Sequence, residues 1–315
     1  MNKRRIQLVA GSTYSVSLPK EWIKKNNLSQ KDELVLYERN DRTLLVSPDV
    51  LKGKELNETS LDADEYAKSI DQILFAVYYL GVETINLFSK DGLSKETKAM
   101  VRKTLTHMSG TMVTYEDPKK MTIRVLLDKS KVDINQLVYR INLIIDLSIS
   151  NMLEEFNIEE IRINENEIDN IYHLIAKIIS LSLIDSNILH SSKIRHVILV
   201  PPYFRIGKRL EHIGDEIKHL CEYLYENGLN AGGMGGILEF KKQELGRAIS
   251  YFLNPVRHFD KMDPEKKAGI NMELNKFEDT IIRGHLDSVV RYIDDIEEEI
   301  VNISFYNKLM SEKVL

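Results

Sequence analysis

The spacing of apolar residues changes twice along the chain. Over residues 4–19 it alternates with period two on either side of Gly11-Ser12, which sets Ile6, Leu8, Val16 and Leu18 on shared inward faces of short strands. Residues 20–28 read as a short helix opened by Pro19, and residues 33–37 and 43–47 as a hairpin around Asn40-Asp41. The next stretch mixes the two periods. A polar segment near residue 55 offers an edge strand, 62–80 a helix and 82–88 a strand. Ser94 caps a second helix, and two strands, 111–115 and 121–127, join through Asp117-Pro118. This order predicts a small sheet covered by helices. From residue 132 onward the period is that of an amphipathic helix. Helices are predicted over 133–156, 158–183, 193–226 with a bend at Pro201-Pro202, 238–259, 265–282 and 286–310. The glycine-rich run at 227–236 reads as a flexible joint. The fold class is multi-domain and mainly α. The expected domains are a β-rich unit (1–50), a small α/β connecting unit (51–131) and two helical halves (132–228 and 237–315).

Composition narrows the function. The 315 residues are 43% apolar and 29% charged, enough for real cores and a wet surface. No run reaches the ~20 apolar residues that a membrane span needs, and no secretory signal opens the chain. The single cysteine, Cys221, lies on an apolar stripe and can form no intrachain disulfide, as expected in a reducing cytoplasm. A net charge of −5 excludes a generally basic nucleic-acid binder, so any such contact must be local. The front is locally basic: residues 1–31 carry seven basic side chains against one acidic. A unit this small with so few apolar anchors is marginal alone, and pairing with a second copy would complete its core.

Candidate chemistry sits on the helices. In the stretch 203–228, Leu210, Ile213, Ile217, Leu220, Cys221 and Leu224 form one stripe, with Glu211 and Asp215 one turn apart beside it. Gly214 lies between them at a cost of about 1 kcal/mol against alanine, which close approach by another helix or a bound ion would offset. Glu165 and Asp169 repeat the four-residue spacing, and so do Asp294 and Glu298. Carboxylates beside a buried seam need a partner, either a shared cation or salt bridges to Lys208, Arg209 and Lys218. His173 and His219 each follow a pair by four residues, as further ligands or as solvated positions. Residues 51–131 contain no phosphate loop, metal spacing or nucleophile–base pair.

Two resemblances extend this reading. RLEHIGD at 209–215 resembles the signature of the PhoU family of phosphate-signalling regulators. ENEIDNIYHLI at 165–175, on the predicted helix 158–183 (whose Asn166 stands where family members often carry aspartate), is similar to the facing motif. The segment 291–303 resembles a degenerate copy of the signature. The resemblance implies a pair of three-helix bundles whose acidic pairs, Glu165, Asp169, Glu211, Asp215, Asp294 and Glu298, hold a divalent or ferric metal ion such as iron, zinc or magnesium. GSTYSVSLPKEWIKKNNL at 11–28 is similar to the SpoVT/AbrB-type swapped-hairpin domain. That likeness implies binding to double-stranded DNA as a homodimer, with Lys3, Arg4, Arg5, Lys20, Lys24 and Lys25 as candidate contacts. Together they describe a cytoplasmic transcriptional regulator of phosphate uptake, not an enzyme. The alternatives are an adaptor that docks on a phosphate transporter or signalling kinase, and a metal-dependent bundle enzyme. Di-iron bundles need a glutamate-x-x-histidine pair on each of two helices, and the signature helices do not supply both.

Overall fold

The structure is a computed structural model and describes residues 3–9, 11–38, 43–48, 57–154, 156–254, 259 and 264–312. The chain divides into two compact units, Met1–Glu55 and Leu56–Leu315. In the first, β1 (Gln7–Val9) and β2 (Thr13–Ser15) pair antiparallel around Gly11, whose φ of 75° belongs to the left-handed region that glycine tolerates. Pro19 precedes α1 (Lys20–Lys25). A second antiparallel pair joins β3 (Val35–Glu38) to β4 (Leu44–Ser47), and the turn expected at Asn40-Asp41 lies outside the described residues. Among the described residues of this unit only Ser47 is buried. Three of the four side chains expected to point inward do not do so within one copy: Ile6 is 71% exposed, and Leu8 and Val16 are more than half exposed, while Leu18 is half-buried. Two ribbons and a six-residue helix bury too little apolar surface to hold themselves together.

The second unit opens on a four-stranded sheet of order β5-β6-β8-β7, from β5 (Glu58–Asp62), β6 (Thr84–Phe88), β7 (Thr111–Glu116) and β8 (Lys120–Val125). β5 runs parallel to β6, and the other pairings are antiparallel. Helices α2 (Ile70–Tyr79) and α3 (Lys95–Thr106) cover a core that includes Leu74, Tyr78, Ile85, Leu87, Val101, Met121 and Ile123. The edge strand extends to Asp62, and Ala63 N bonds Phe88 O at 2.7 Å, so the first helix starts at Ile70 rather than at 62. Sheet pairing overrides local helical spacing there. Ser94 caps α3 by accepting from Thr97 N, and Asp117 holds the β7–β8 turn through the amides of Lys119 and Lys120.

The remainder is helical: α4 (Ile134–Glu154), α5 (Ile158–Ser182), α6 (Ser186–Ser191), α7 (Val200–Glu226), α8 (Gly235–Leu253), α9 (Pro264–Leu274) and α10 (Thr280–Glu312). Pro201 and Pro202 fall in the first turn of α7, where a missing N–H costs nothing, so they start the helix instead of bending it. Asp279 caps α10 through the amides of Ile281 and Ile282, which ends the helix expected to run on to 282. One apolar core runs through all the long helices, with Ile145, Ile168, Ile213, Leu245, Ile249, Val289 and Ile296 among its members. The run expected as a flexible joint is part of it. Ala231 and Met234 are buried there, and α8 begins directly after them. No helix among the described residues is long and apolar enough to cross a membrane.

The α/β layer is fastened to α5. His173 stacks on Phe75 with ring centroids 4.0 Å apart and accepts the Tyr79 hydroxyl at Nδ1, 2.5 Å away. Burial, aided by the charges of His107 and Lys208, pushes its pKa down to about 4, so the imidazole stays neutral and can accept. One turn on, Lys177 is 1% exposed and donates to Tyr78 O, at the C-terminal end of α2, at 2.8 Å. Its ammonium also lies over the Tyr78 ring at 3.9 Å. Burial, with the Lys129 charge nearby, lowers the Lys177 pKa from 10.5 to about 7, while Glu83 pulls the other way.

A pH dependence follows. Between about 7 and 10.5 the unfolded chain keeps a proton on Lys177 that the folded chain has lost, so stability rises with pH across this window. Below it the cost of the buried charge is present in full. Lys177→Met should therefore unfold at a higher temperature than the wild type at pH 6.5, with the difference shrinking towards pH 10. Calorimetry at a series of pH values measures both.

Candidate functional site

The acidic seam lies between α5 and α7, and its geometry begins with glycine. A Cβ built on Gly214 would stand 2.9 Å from Ile168 Cδ1, and one on Gly207 would stand 3.1 Å from Ile175 Cγ2. The two glycines lie two turns apart on α7 and let it settle closely on α5. That close approach, one of the two compensations expected for Gly214, brings the carboxylates of two helices together. Glu165, Asp169 and Asp215 each offer an oxygen within 4.8 Å of the others, a group that could hold a metal ion.

The electrostatics are those of a site short of positive charge. Glu165 is buried and forms a short ion pair with Lys218 Nζ, which also reaches Asp215 Oδ1 at 3.8 Å. Asp169 is raised to about 7, first by burial and then by the charges of Glu165, Asp215 and Glu211, against the pull of Lys218. Glu211 stands beside this group and is bound by Lys208 Nζ at 2.7 and 2.8 Å. Its pKa is also raised, chiefly by burial. Asn166 turns back to donate to Arg162 O. The expected salt bridges from Lys208 and Lys218 are therefore present, while Arg209 goes to Asp295 instead. The histidines do not extend the ligand set. His173 Nδ1 is taken by Tyr79, and His219 is exposed, with its ring near His285.

The third acidic pair is not arranged as its spacing suggests. Asp294 accepts from the fully buried Lys241 Nζ at 2.9 Å. The buried carboxylate beyond it is Glu297, 2% exposed, whereas the Glu298 side chain is exposed. Asp294 and Glu298 therefore do not share an interior ligand position; Glu297 turns inward because a three-residue step keeps it on the buried stripe with Ile293, Ile296 and Ile300. Spacing among acids does not single out Lys241, although it falls on the apolar stripe of α8 between Ile237 and Leu245, and that position was the signal of its burial.

The candidate DNA contacts belong to the other unit. Lys3, Arg4 and Arg5 precede β1, Lys20 opens α1, and Lys24 and Lys25 close it; all six side chains are exposed. Residues 7–54 match the family described as antidote-toxin recognition MazE, a bacterial antitoxin. The match spans β1 to β4, and the front unit is thus similar to MazE/AbrB-type domains, which bind DNA and dimerise. No curated protein and no solved structure matches the chain. A DNA-binding type of front module attached to a mainly helical body is the class that these findings define.

The close approach at Gly214 can be tested against a glycine that makes none. Gly214→Ala overpacks against Ile168 at about 1–3 kcal/mol, offset by roughly 1 kcal/mol of helix propensity. A net loss of stability in urea unfolding is expected. Gly246→Ala on α8 meets nothing within 4 Å and should gain up to about 1 kcal/mol.

Proposed function

We propose that this protein is a homodimeric, DNA-binding transcription regulator of phosphate uptake, and that a metal cation in the α5–α7 seam is its signal or its partner-docking element. The front unit's lack of an apolar core carries the first half of the reading. A second copy interleaving its strands would cover Ile6, Leu8, Tyr14, Val16, Leu36 and Leu44, which one copy leaves exposed. Pairing would also double the number of exposed basic side chains, as phosphate-backbone contact requires. The MazE match over residues 7–54 supports the same half.

The phosphate and metal parts of the reading are supported by the signature-like RLEHIGD segment and by the convergence of Glu165, Asp169 and Asp215. A cation would offset both the burial and the like-charge crowding that raise Asp169. Its arrival would alter α5, the helix to which the α/β layer is fastened. Such a ligand shifts an equilibrium only by its differential affinity for the two states.

Light scattering and duplex retention at several salt concentrations test the first half. The expected results are a dimer and an affinity that falls steeply with salt. Replacing Lys3, Arg4 and Arg5 by alanine should lower the salt slope by about 1 for each DNA phosphate that is no longer neutralised. A monomer that ignores duplex at low salt would transfer the reading to an adaptor for a phosphate transporter or kinase. Elemental analysis tests the second half: metal should be present in the purified protein and absent from Glu165→Gln/Asp215→Asn.

A further inference from the structure

α8 and α10 enclose a second charged seam, and it contains a cation of the chain's own. Lys241 is 0% exposed. Its Nζ donates to Asp294 Oδ1 at 2.9 Å and to Glu244 Oε2 at 3.3 Å. Glu297 accepts from Arg247 Nη2 at 3.3 Å, and the same guanidinium reaches Glu244 Oε1 at 3.7 Å. Two largely buried carboxylates thus meet one buried ammonium, and a third, Glu297, meets the guanidinium beside it. The α5–α7 seam differs in one respect. Its ammonium, Lys218, bonds Glu165, and among the described residues Asp169 has neither a hydrogen bond nor an ion pair. Carboxylates face a lysine in both seams, but only the second has a fully buried ammonium, and its carboxylates are drawn to the two cations rather than to one another.

We propose that Lys241 is a built-in substitute for a bound cation. Its ammonium supplies a positive charge and three donors to oxygens that could otherwise coordinate a metal ion. Because it is tethered, it is present at every ion concentration. The α8–α10 seam is therefore closed constitutively and takes up no ion. Any ion response belongs to the α5–α7 seam alone; this last statement rests on the metal reading given above, while the role of Lys241 does not.

The test uses the full chain carrying Asp215→Asn as parent, which impairs the first seam. Lys241→Ala and Lys241→Met are added separately, with Mn2+ as the probe. Uptake is read by electron paramagnetic resonance and stability by thermal unfolding. Lys241→Ala removes the charge and opens space, so it should take up one more Mn2+ per chain than the parent. Its unfolding midpoint should rise with Mn2+ while that of the parent stays put. Lys241→Met fills the space with an apolar chain and should gain no ion. If Lys241→Ala does not fold alone, recovery of helix on adding Mn2+ supports the proposal and failure to recover at any concentration overturns it. Equal uptake by folded Lys241→Ala and the parent overturns it, as does Mn2+ binding by Lys241→Met. So does parent Mn2+ uptake that Glu297→Gln abolishes. Absence of Mn2+ from the wild type would refute the metal reading of the first seam and leave the Lys241 comparison intact.

Discussion

Burial of carboxylates along helix seams is the constraint around which the helical body is arranged. Helices must approach closely to exclude water, and the same approach crowds charges that repel. At the α5–α7 seam the approach is set by Gly207 and Gly214, which admit Ile175 and Ile168 against the backbone of α7. The apolar contact and the acidic cluster are two consequences of one packing distance. Burial first, and the neighbouring like charges after it, raise the pKa values of Asp169 and Glu211. The crowding is relieved in part by Lys208 and Lys218, each donated from within one turn of an acid. At the α8–α10 seam the buried Lys241 serves that purpose.

α5 connects this electrostatic problem to the rest of the second unit. Successive turns present Glu165 and Asp169 to the seam, then His173 to Phe75 and Tyr79, then Lys177 to the end of α2. A helix transmits displacement along its axis because its backbone bonds resist local stretching. A change at the acids therefore has a rigid route to the α/β layer. The front unit obeys a different constraint. It lacks enough apolar surface to bury in one copy, so a stable core there requires a further surface to pack against.

Much of this was legible in the residues. The amphipathic stretches 133–156 and 158–183 foretold α4 and α5 to within a few residues, because a long stripe at period 3.6 has no other stable solution. Ser94 and Asp117 announced a cap and a turn through local hydrogen bonds that need no tertiary partner. The four-residue spacing of Glu165 with Asp169, and of Glu211 with Asp215, placed each pair on one side of a helix. What was not legible depended on neighbours. The start of α2 was misplaced because β5 pairs with β6 through Asp62. The glycine-rich run is packed because Ala231 and Met234 find a core built by distant helices.

The amino-acid order by itself determined the periodicities, the caps, the basic front and the spacing of acids within each helix, since all of these act over a few residues. Tertiary structure alone decided which acids meet. It brought Asp215 to Glu165 and Asp169, left Glu211 with Lys208, turned Glu297 inward in place of Glu298, and set Lys241 against Asp294 and Glu244. The reason is physical. Position within a helix fixes the direction of a side chain, whereas the charge and dielectric that it meets are supplied by helices distant in sequence.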